Sequence, residues 1–220
     1  PMPMFGTERT VIAVLGDERI LSINHIKALP EVSDVMSVLK PYKLVSRETK
    51  YEDTVIKVKG ITIGGDTFAA MAGPCAVETE EQVEASAKAV AATGVRILRG
   101  GAFKPRTGPY AFQGLGEKGL KILKKVADRH DMVTITEVVD PRDVALVAKY
   151  ADILQIGTRN MQNFQLLTEV GKTKKPVMLK RAMTATIEEF LLAAEYIVAN
   201  GNPNVILCER GIRTFETAYR

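Results

Sequence analysis

Cysteine, histidine and long apolar runs are all scarce in this chain. The two cysteines, Cys75 and Cys208, lie far apart and in different contexts, which points to reduced thiols and excludes a disulfide scaffold. The only histidines are His25 and His130. No stretch reaches the ~18 consecutive apolar residues of a membrane helix, so no membrane span or membrane partner is expected. The opening residues PMPMFGTERT have no basic region, apolar stretch or cleavage site, so nothing marks the chain for secretion and a cytoplasmic location is expected. A surplus of charge is missing too. With 30 Lys+Arg against 26 Asp+Glu the net charge is +4, too mild and too dispersed for a nucleic-acid footprint.

The proportions that are present, 46% apolar and 25% charged over 220 residues, are those of an ordinary soluble globular protein, and they exclude disorder and collagen. Residues 10–39 read as strand (Val11 to Leu15), a short helix at Ile23 capped by Ser22, and strand (Val35 to Leu39). This is a fragment of a small α+β unit, too small to close a core alone. Lys40 to Asp53 is polar and reads as a linker. A hairpin follows, Val55 to Val58 and Ile61 to Ile63, with Gly60 in the turn.

Strand and helix signals then alternate without interruption. Short strands are expected at Phe68 to Ala72, Val95 to Leu98, Val133 to Thr136, Ile153 to Ile156, Val177 to Leu179 and Val205 to Leu207, each nearly all apolar as befits a strand covered on both faces. Thr79 with Gln82 and Thr186 with Glu189 form capping boxes, and Asp140-Pro141 supplies another helix start. Six strands with five intervening helices fit either a doubly wound sheet or a barrel. The strand ends favour the barrel. Cys75, Arg99, Glu137, Arg159, Lys180, Glu209 and Arg210 follow successive strands, and a ring of functional groups on strand C-termini is how a barrel active site is made. Phe68 to Arg220 falls well short of the about 250 residues of a complete barrel. A fragment cut at both ends, lacking about two βα units, is therefore expected.

On that barrel Arg99, Lys104, Arg106, Arg159, Lys180 and Arg210 converge on one mouth, which calls for more than one anionic group. Taken singly each could be a solvated cation; gathered together they would repel unless something neutralised them. Cys75 reads as a small buried hydrophobe, a thiolate metal ligand or a reactive thiol. Cys208, inside a strand, reads as structural. Glu137 could be an acid or base, or a partner for the cations, and Lys180 could form a Schiff base. The glycines of 100–101 and 114–116 suit tight turns. With no histidine at a strand end there is neither a Ser-His-Asp arrangement nor a complete metal site, and His130 falls at a helix end.

Six segments carry a family likeness: Ala72 to Cys75, Leu98 to Thr107, Phe112 to Gly116, Ile156 to Asn160, Leu179 to Arg181 and Leu207 to Gly211. Together they closely resemble the 3-deoxy-D-arabino-heptulosonate 7-phosphate (DAHP) synthases of the short microbial form, from about Arg9 to the last residue. The Lys104-Pro105-Arg106-Thr107 loop is the most specific element. The resemblance implies a (β/α)8 TIM barrel of which about six strands are present, in residues 51–220, opening with a hairpin that closes the barrel bottom and lacking its C-terminal strands. Residues 1–50 would be a linker and a partial ferredoxin-like regulatory domain without its first strand and helix.

The implied reaction condenses phosphoenolpyruvate with erythrose 4-phosphate, the first step of the shikimate pathway to aromatic amino acids. Arg99, Lys104, Arg159, Lys180 and Arg210 match residues that hold phosphoenolpyruvate, and Arg106 with Thr107 match the pair that grips erythrose 4-phosphate. Lys104 is the implied catalytic proton donor. Cys75 matches one ligand of a divalent metal ion (Mn, Fe, Zn or Co), the others being expected beyond Arg220, so the chain alone should be weakly active or inactive. An aromatic amino acid effector and a homo-oligomer, a tetramer, are also implied. Three alternatives stand beside this reading. One is the sister synthase of 3-deoxy-D-manno-octulosonate 8-phosphate, whose typical Lys-Ala-Asn-Arg loop this chain lacks. The others are a Schiff-base aldolase using Lys180 and a truncated, non-catalytic barrel that binds phosphorylated metabolites.

Overall fold

The computed structural model describes residues 2–5, 9–14, 21–36, 40–216 and 218. The chain divides into two compact units, Pro1–Glu52 and Asp53–Arg220.

In the first unit, β1 (Met2–Phe5) pairs antiparallel with β2 (Thr10–Ala13), Met2 opposite Ala13 and Phe5 opposite Thr10. The strand at Met2 is not foreseen from the sequence, because Pro3 argues against it; a two-stranded ribbon tolerates proline, since each strand keeps one open edge. The strand expected at Val11 to Leu15 ends at Ala13, and Leu15 lies outside the described residues. Helix α1 (Ile23–Lys27) starts where Ser22 places it, the hydroxyl accepting from the His25 amide at 3.3 Å. Val35 and Met36 are not in a strand, and the rest of the strand expected there, residues 37–39, lies outside the described residues. The expected linker is a run of turns between Leu44 and Thr49, in which the Thr49 hydroxyl and the Ser46 amide both donate to the Lys43 carbonyl, at 2.6 and 3.2 Å.

The second unit opens with the expected hairpin, β3 (Ile56–Val58) and β4 (Ile61–Ile63). Lys59 and Gly60 both have left-handed φ, +44° and +77°, as a two-residue turn must to follow the twist of its strands. Six parallel strands come next: β5 (Met71–Ala72), β6 (Ile97–Arg99), β7 (Val133–Glu137), β8 (Ile153–Ile156), β9 (Val177–Lys180) and β10 (Val205–Cys208). Each pairs with the next in sequence. Strand order never reverses, so there is no switch point, and the sheet is six strands of a barrel wall rather than a doubly wound sheet. Five helices alternate with them: α2 (Glu80–Ala91), α3 (Glu117–Arg129), α4 (Val144–Tyr150), α5 (Phe164–Gly171) and α6 (Ile187–Ala199). No helix among the described residues is long and apolar enough to cross a membrane.

Two local expectations are modified. The first strand starts at Met71, not at Phe68, whose side chain is 95% exposed. At α2 the Thr79 hydroxyl accepts from the Gln82 amide, but the Gln82 side chain turns to the Glu78 amide, so half of the capping box is made. At α6 both halves are present. Asp140 accepts from the Arg142 amide ahead of Pro141, as its position suggests.

Side chains alternate across each strand, and apolar cores form on both faces of the sheet. Ile97, Val133, Ile135 and Ile153 pack on the inner face with Met71, Met178, Ile206 and the hairpin residues Val58, Ile61 and Ile63. Leu98 faces outward onto α2 and α3, with Val83, Ala87, Leu123 and Val126. The hairpin is latched to the strand N-termini by an ion pair of 2.9 Å between Lys59 Nζ and Asp152 Oδ2. The same oxygen accepts from the amide and hydroxyl of Thr134, each at 3.0 Å.

Candidate functional site

Strand parity places the site. Arg99 is two residues beyond Ile97, Glu137 two beyond Ile135 and Lys180 two beyond Met178, so all three share the inner face with those apolar residues, at the C-terminal end of their strands. This is the end at which barrel active sites form.

Backbone contacts hold the first loop against β6. Gly73 has φ +147°, and a β-carbon there would overlap the Arg99 carbonyl oxygen; only glycine lets the chain pass so close. Arg99 Nη1 in turn donates to the Pro74 carbonyl at 3.2 Å. Lys104, 9% exposed, donates from Nζ to the Cys75 carbonyl at 2.8 Å and to Cys75 Sγ at 3.3 Å. That bond is the main reason the Cys75 thiol lies below its usual range; burial opposes it, and the charges of Lys104 and Arg99 add to it. Cys75 is exposed, which corrects the reading of it as a small buried hydrophobe. Cys208 closes β10, half-buried.

The loop from Lys104 to Gln113 is closed at its neck by the Lys104 amide, which donates to the Gln113 carbonyl at 2.9 Å. The Gln113 amide group fills its interior, donating to the carbonyls of Gly108, Pro109 and Ala111. Arg106 Nε donates to the Phe112 carbonyl at 3.2 Å, and the exposed Thr107 hydroxyl accepts from Arg159 Nη2 at 3.4 Å. The loop after β6 thus reaches the turn after β8.

Glu137 is the point on which the cations bear. Burial pushes its carboxyl above the usual carboxylate range, while Lys104, Lys180, Arg99 and Arg159 all pull the other way. One carboxylate against four cations leaves a strong local excess of positive charge, a setting for anions bearing several charges. Six cations were expected at this mouth and the structure brings four of them to Glu137. The Arg106 guanidinium is engaged by its own loop. The Arg210 guanidinium is exposed and has no partner among the described residues, although its amide is held by Glu209 at 2.8 Å. Sequence reasoning left Glu137 as an acid or base or as a partner for the cations, and it is with the cations that the structure groups it. That reasoning passed over Arg181, whose guanidinium is taken up by Glu209 and the Ala185 carbonyl.

A divalent metal needs a cluster of donors. Among the described residues no three His, Cys, Asp or Glu side chains are grouped to hold one, and Cys75 is a single donor where a first-row ion takes four or more. These residues by themselves do not fit the ion. His130 sits at the C-cap of α3 and pairs with Glu84 at 2.7 Å, away from the strand ends.

Comparison with known proteins identifies the family. Residues 48–220 match the DAHP synthetase I family, and residues 1–40 match the DAHP synthase ferredoxin-like domain. The chain is 54% identical over 215 residues to the phospho-2-dehydro-3-deoxyheptonate aldolase of Thermotoga maritima, covering 98% of this chain and 64% of that protein. It is 33% identical over 153 residues to the 2-dehydro-3-deoxyphosphooctonate aldolase of Pisum sativum, covering 66% of this chain and 53% of that one. The crystal structure of the Thermotoga maritima aldolase (DAHP synthase) superposes with a TM-score of 0.79 at 53% identity, covering 99% of this chain and 64% of that chain. A truncated form of 3-deoxy-D-arabino-heptulosonate 7-phosphate synthase from the same organism gives 0.73 at 52% identity, covering 80% and 64%. The chain thus spans 64% of the length of the Thermotoga relative.

Proposed function

The chain belongs to the DAHP synthetase I family, and from that premise we propose that it carries the substrate-binding wall of a DAHP synthase. The reaction joins phosphoenolpyruvate to erythrose 4-phosphate and releases inorganic phosphate, opening the path to aromatic amino acids. The observation that supports it most is the convergence of Arg99, Lys104, Arg159 and Lys180 on Glu137 at the mouth of the strands. Phosphoenolpyruvate carries a phosphate and a carboxylate on a small frame, and guanidinium groups match both in bidentate fashion. Arg210 completes this set. Arg106 and Thr107, on the exposed part of the loop after β6, grip the phosphate of erythrose 4-phosphate.

Held in this way, C3 of phosphoenolpyruvate attacks the aldehyde carbon. Lys104 is placed to protonate the oxygen that becomes an alkoxide, water adds at C2, and phosphate leaves. The arginines act by fixing the two substrates within reach of each other and by countering charge that water would otherwise screen. Cys75 is the one residue here that a divalent metal would take; the other ligands must come from outside these residues, and no step above passes through the metal. Residues 1–50 are proposed as a regulatory unit for an aromatic amino acid, on a homo-oligomeric, cytoplasmic enzyme.

The test is phosphate release from phosphoenolpyruvate and erythrose 4-phosphate by the full-length protein. Release with arabinose 5-phosphate instead would favour the octulosonate aldolase activity named for the more distant Pisum relative, and borohydride trapping at Lys180 would favour a Schiff base. A Lys104→Met variant with near-normal turnover would remove the proton-donor role.

A further inference from the structure

Arg181 follows Lys180 at the end of β9, and by composition it would count as one more cation of the mouth. All three of its guanidinium nitrogens donate to protein acceptors. Nε and Nη2 donate to the Ala185 carbonyl at 2.9 and 2.7 Å, and Nη1 donates to Glu209 Oε2 at 2.7 Å. The other carboxylate oxygen, Glu209 Oε1, accepts from the backbone amides of Arg210 and Gly211 at 2.8 and 3.2 Å. One carboxylate therefore joins the loop after β9 to the backbone that carries Arg210. The two loops are zipped on either side of this joint. The Arg181 amide donates to the Cys208 carbonyl at 3.0 Å, one step beyond the β9–β10 ladder, and the Arg213 amide donates to the Met183 carbonyl at 3.1 Å.

Arg210 itself has no such restraint on its side chain, which is exposed. A long side chain on a loose loop loses more freedom on binding than one whose backbone is already fixed, and that loss weakens the complex. Arg181 is paired with Glu209 at 2.7 Å, so its charge is countered within the protein and its effect on the mouth is through geometry. We infer that Arg181 and Glu209 are positioning residues that set the place of Arg210 and thereby the affinity of the site for phosphoenolpyruvate. The inference rests on the proposal that Arg210 binds that substrate. The Arg181 bond first, and then the two amides, hold the Glu209 carboxyl below its usual range.

Calorimetric titration of phosphoenolpyruvate into the full-length protein, without the aldehyde, tests this on Arg181→Met, Glu209→Gln, Arg210→Ala and the double variant Arg181→Met with Arg210→Ala. Arg181→Met is expected to bind about tenfold more weakly, the scale on which supporting residues usually act. In the Arg210→Ala background the same change is expected to add less than about twofold, since the group it positions is gone. A general structural role would instead give additive losses, and that result would overturn the inference. So would parental affinity in Arg181→Met while Arg210→Ala is weakened. Parental affinity in Arg210→Ala would take down the assignment of Arg210 to the substrate and this inference with it. If Arg181→Met does not fold by thermal unfolding, Glu209→Gln, which keeps the shape and loses the charge, is read in the same cycle.

Discussion

A β-carbon on Gly157 would overlap Oε1 of Glu137, so the carboxylate that ends β7 lies against a bare Cα at the end of β8. Gly157 has an ordinary φ of −72°, and an alanine would suffer from the neighbour alone, not from the backbone. Gly157→Ala is expected to push Glu137 off the cations and to cost about 1 kcal/mol in urea unfolding, at the low end for overpacking because the clash is with a side-chain tip. Adding Glu137→Ala should recover most of that loss. A Gly157→Ala variant as stable as the parent would contradict the contact.

Burial raises the Glu137 pKa against the pull of four cations. A carboxyl raised in the folded state binds its proton more tightly folded than unfolded. Its contribution therefore falls as pH rises from the ordinary value of 4.5 through the folded pKa, and burying the charge is a burden at neutral pH. Glu137→Gln should melt higher than the parent at neutral pH, with the gap closing as the pH is lowered toward 4.5. A gap that does not change with pH would show that charge burial is not its cause.

The Cys75 thiol is lowered chiefly by its bond from Lys104, and thiol reactivity follows the thiolate fraction. Iodoacetamide at neutral pH should label Cys75 well before Cys208. Lys104→Met should slow Cys75 labelling several-fold, as followed by peptide mass spectrometry. Unchanged labelling would mean that the 3.3 Å contact does not govern the thiol.

The hairpin latch has its own pH signature. Burial pushes Asp152 up, but the Thr134 amide, Lys59 and the Thr134 hydroxyl together carry it below its ordinary 3.8. A lowered carboxyl stabilises the fold above its unfolded pKa and loses that contribution as pH falls through the folded one. Asp152→Ala should cost about 1–3 kcal/mol at neutral pH, the scale of leaving the buried Thr134 amide unpaired. Much of the difference should vanish in urea titrations below pH 3.8; a cost equal at both pH values would argue for packing alone.

The alternation of short apolar strands with capped helices was legible in the residues themselves, because buried parallel strands carry almost no polar side chains and helix starts have local chemistry. All six strands were found within a few residues, and Ser22, Thr186 and Asp140 cap where expected. The misses came where local signals are weak or mislead: β1 is only four residues long and contains a proline, and the apolar Phe68 drew a strand too far forward although it is 95% exposed.

The sequence by itself determined which residues end the strands, and hence that cations crowd one mouth, because period and order are written along the chain. Only the tertiary structure decided what each of them meets. Glu137 gathers Arg99, Lys104, Arg159 and Lys180 from separate strand ends and loops, Arg181 is silenced by Glu209 across two loops, and Cys75 is reached by Lys104 from 29 residues away. Those pairings arise from strand register and the side-to-side alternation of the sheet, which bring distant residues together, and no local pattern in the sequence encodes them.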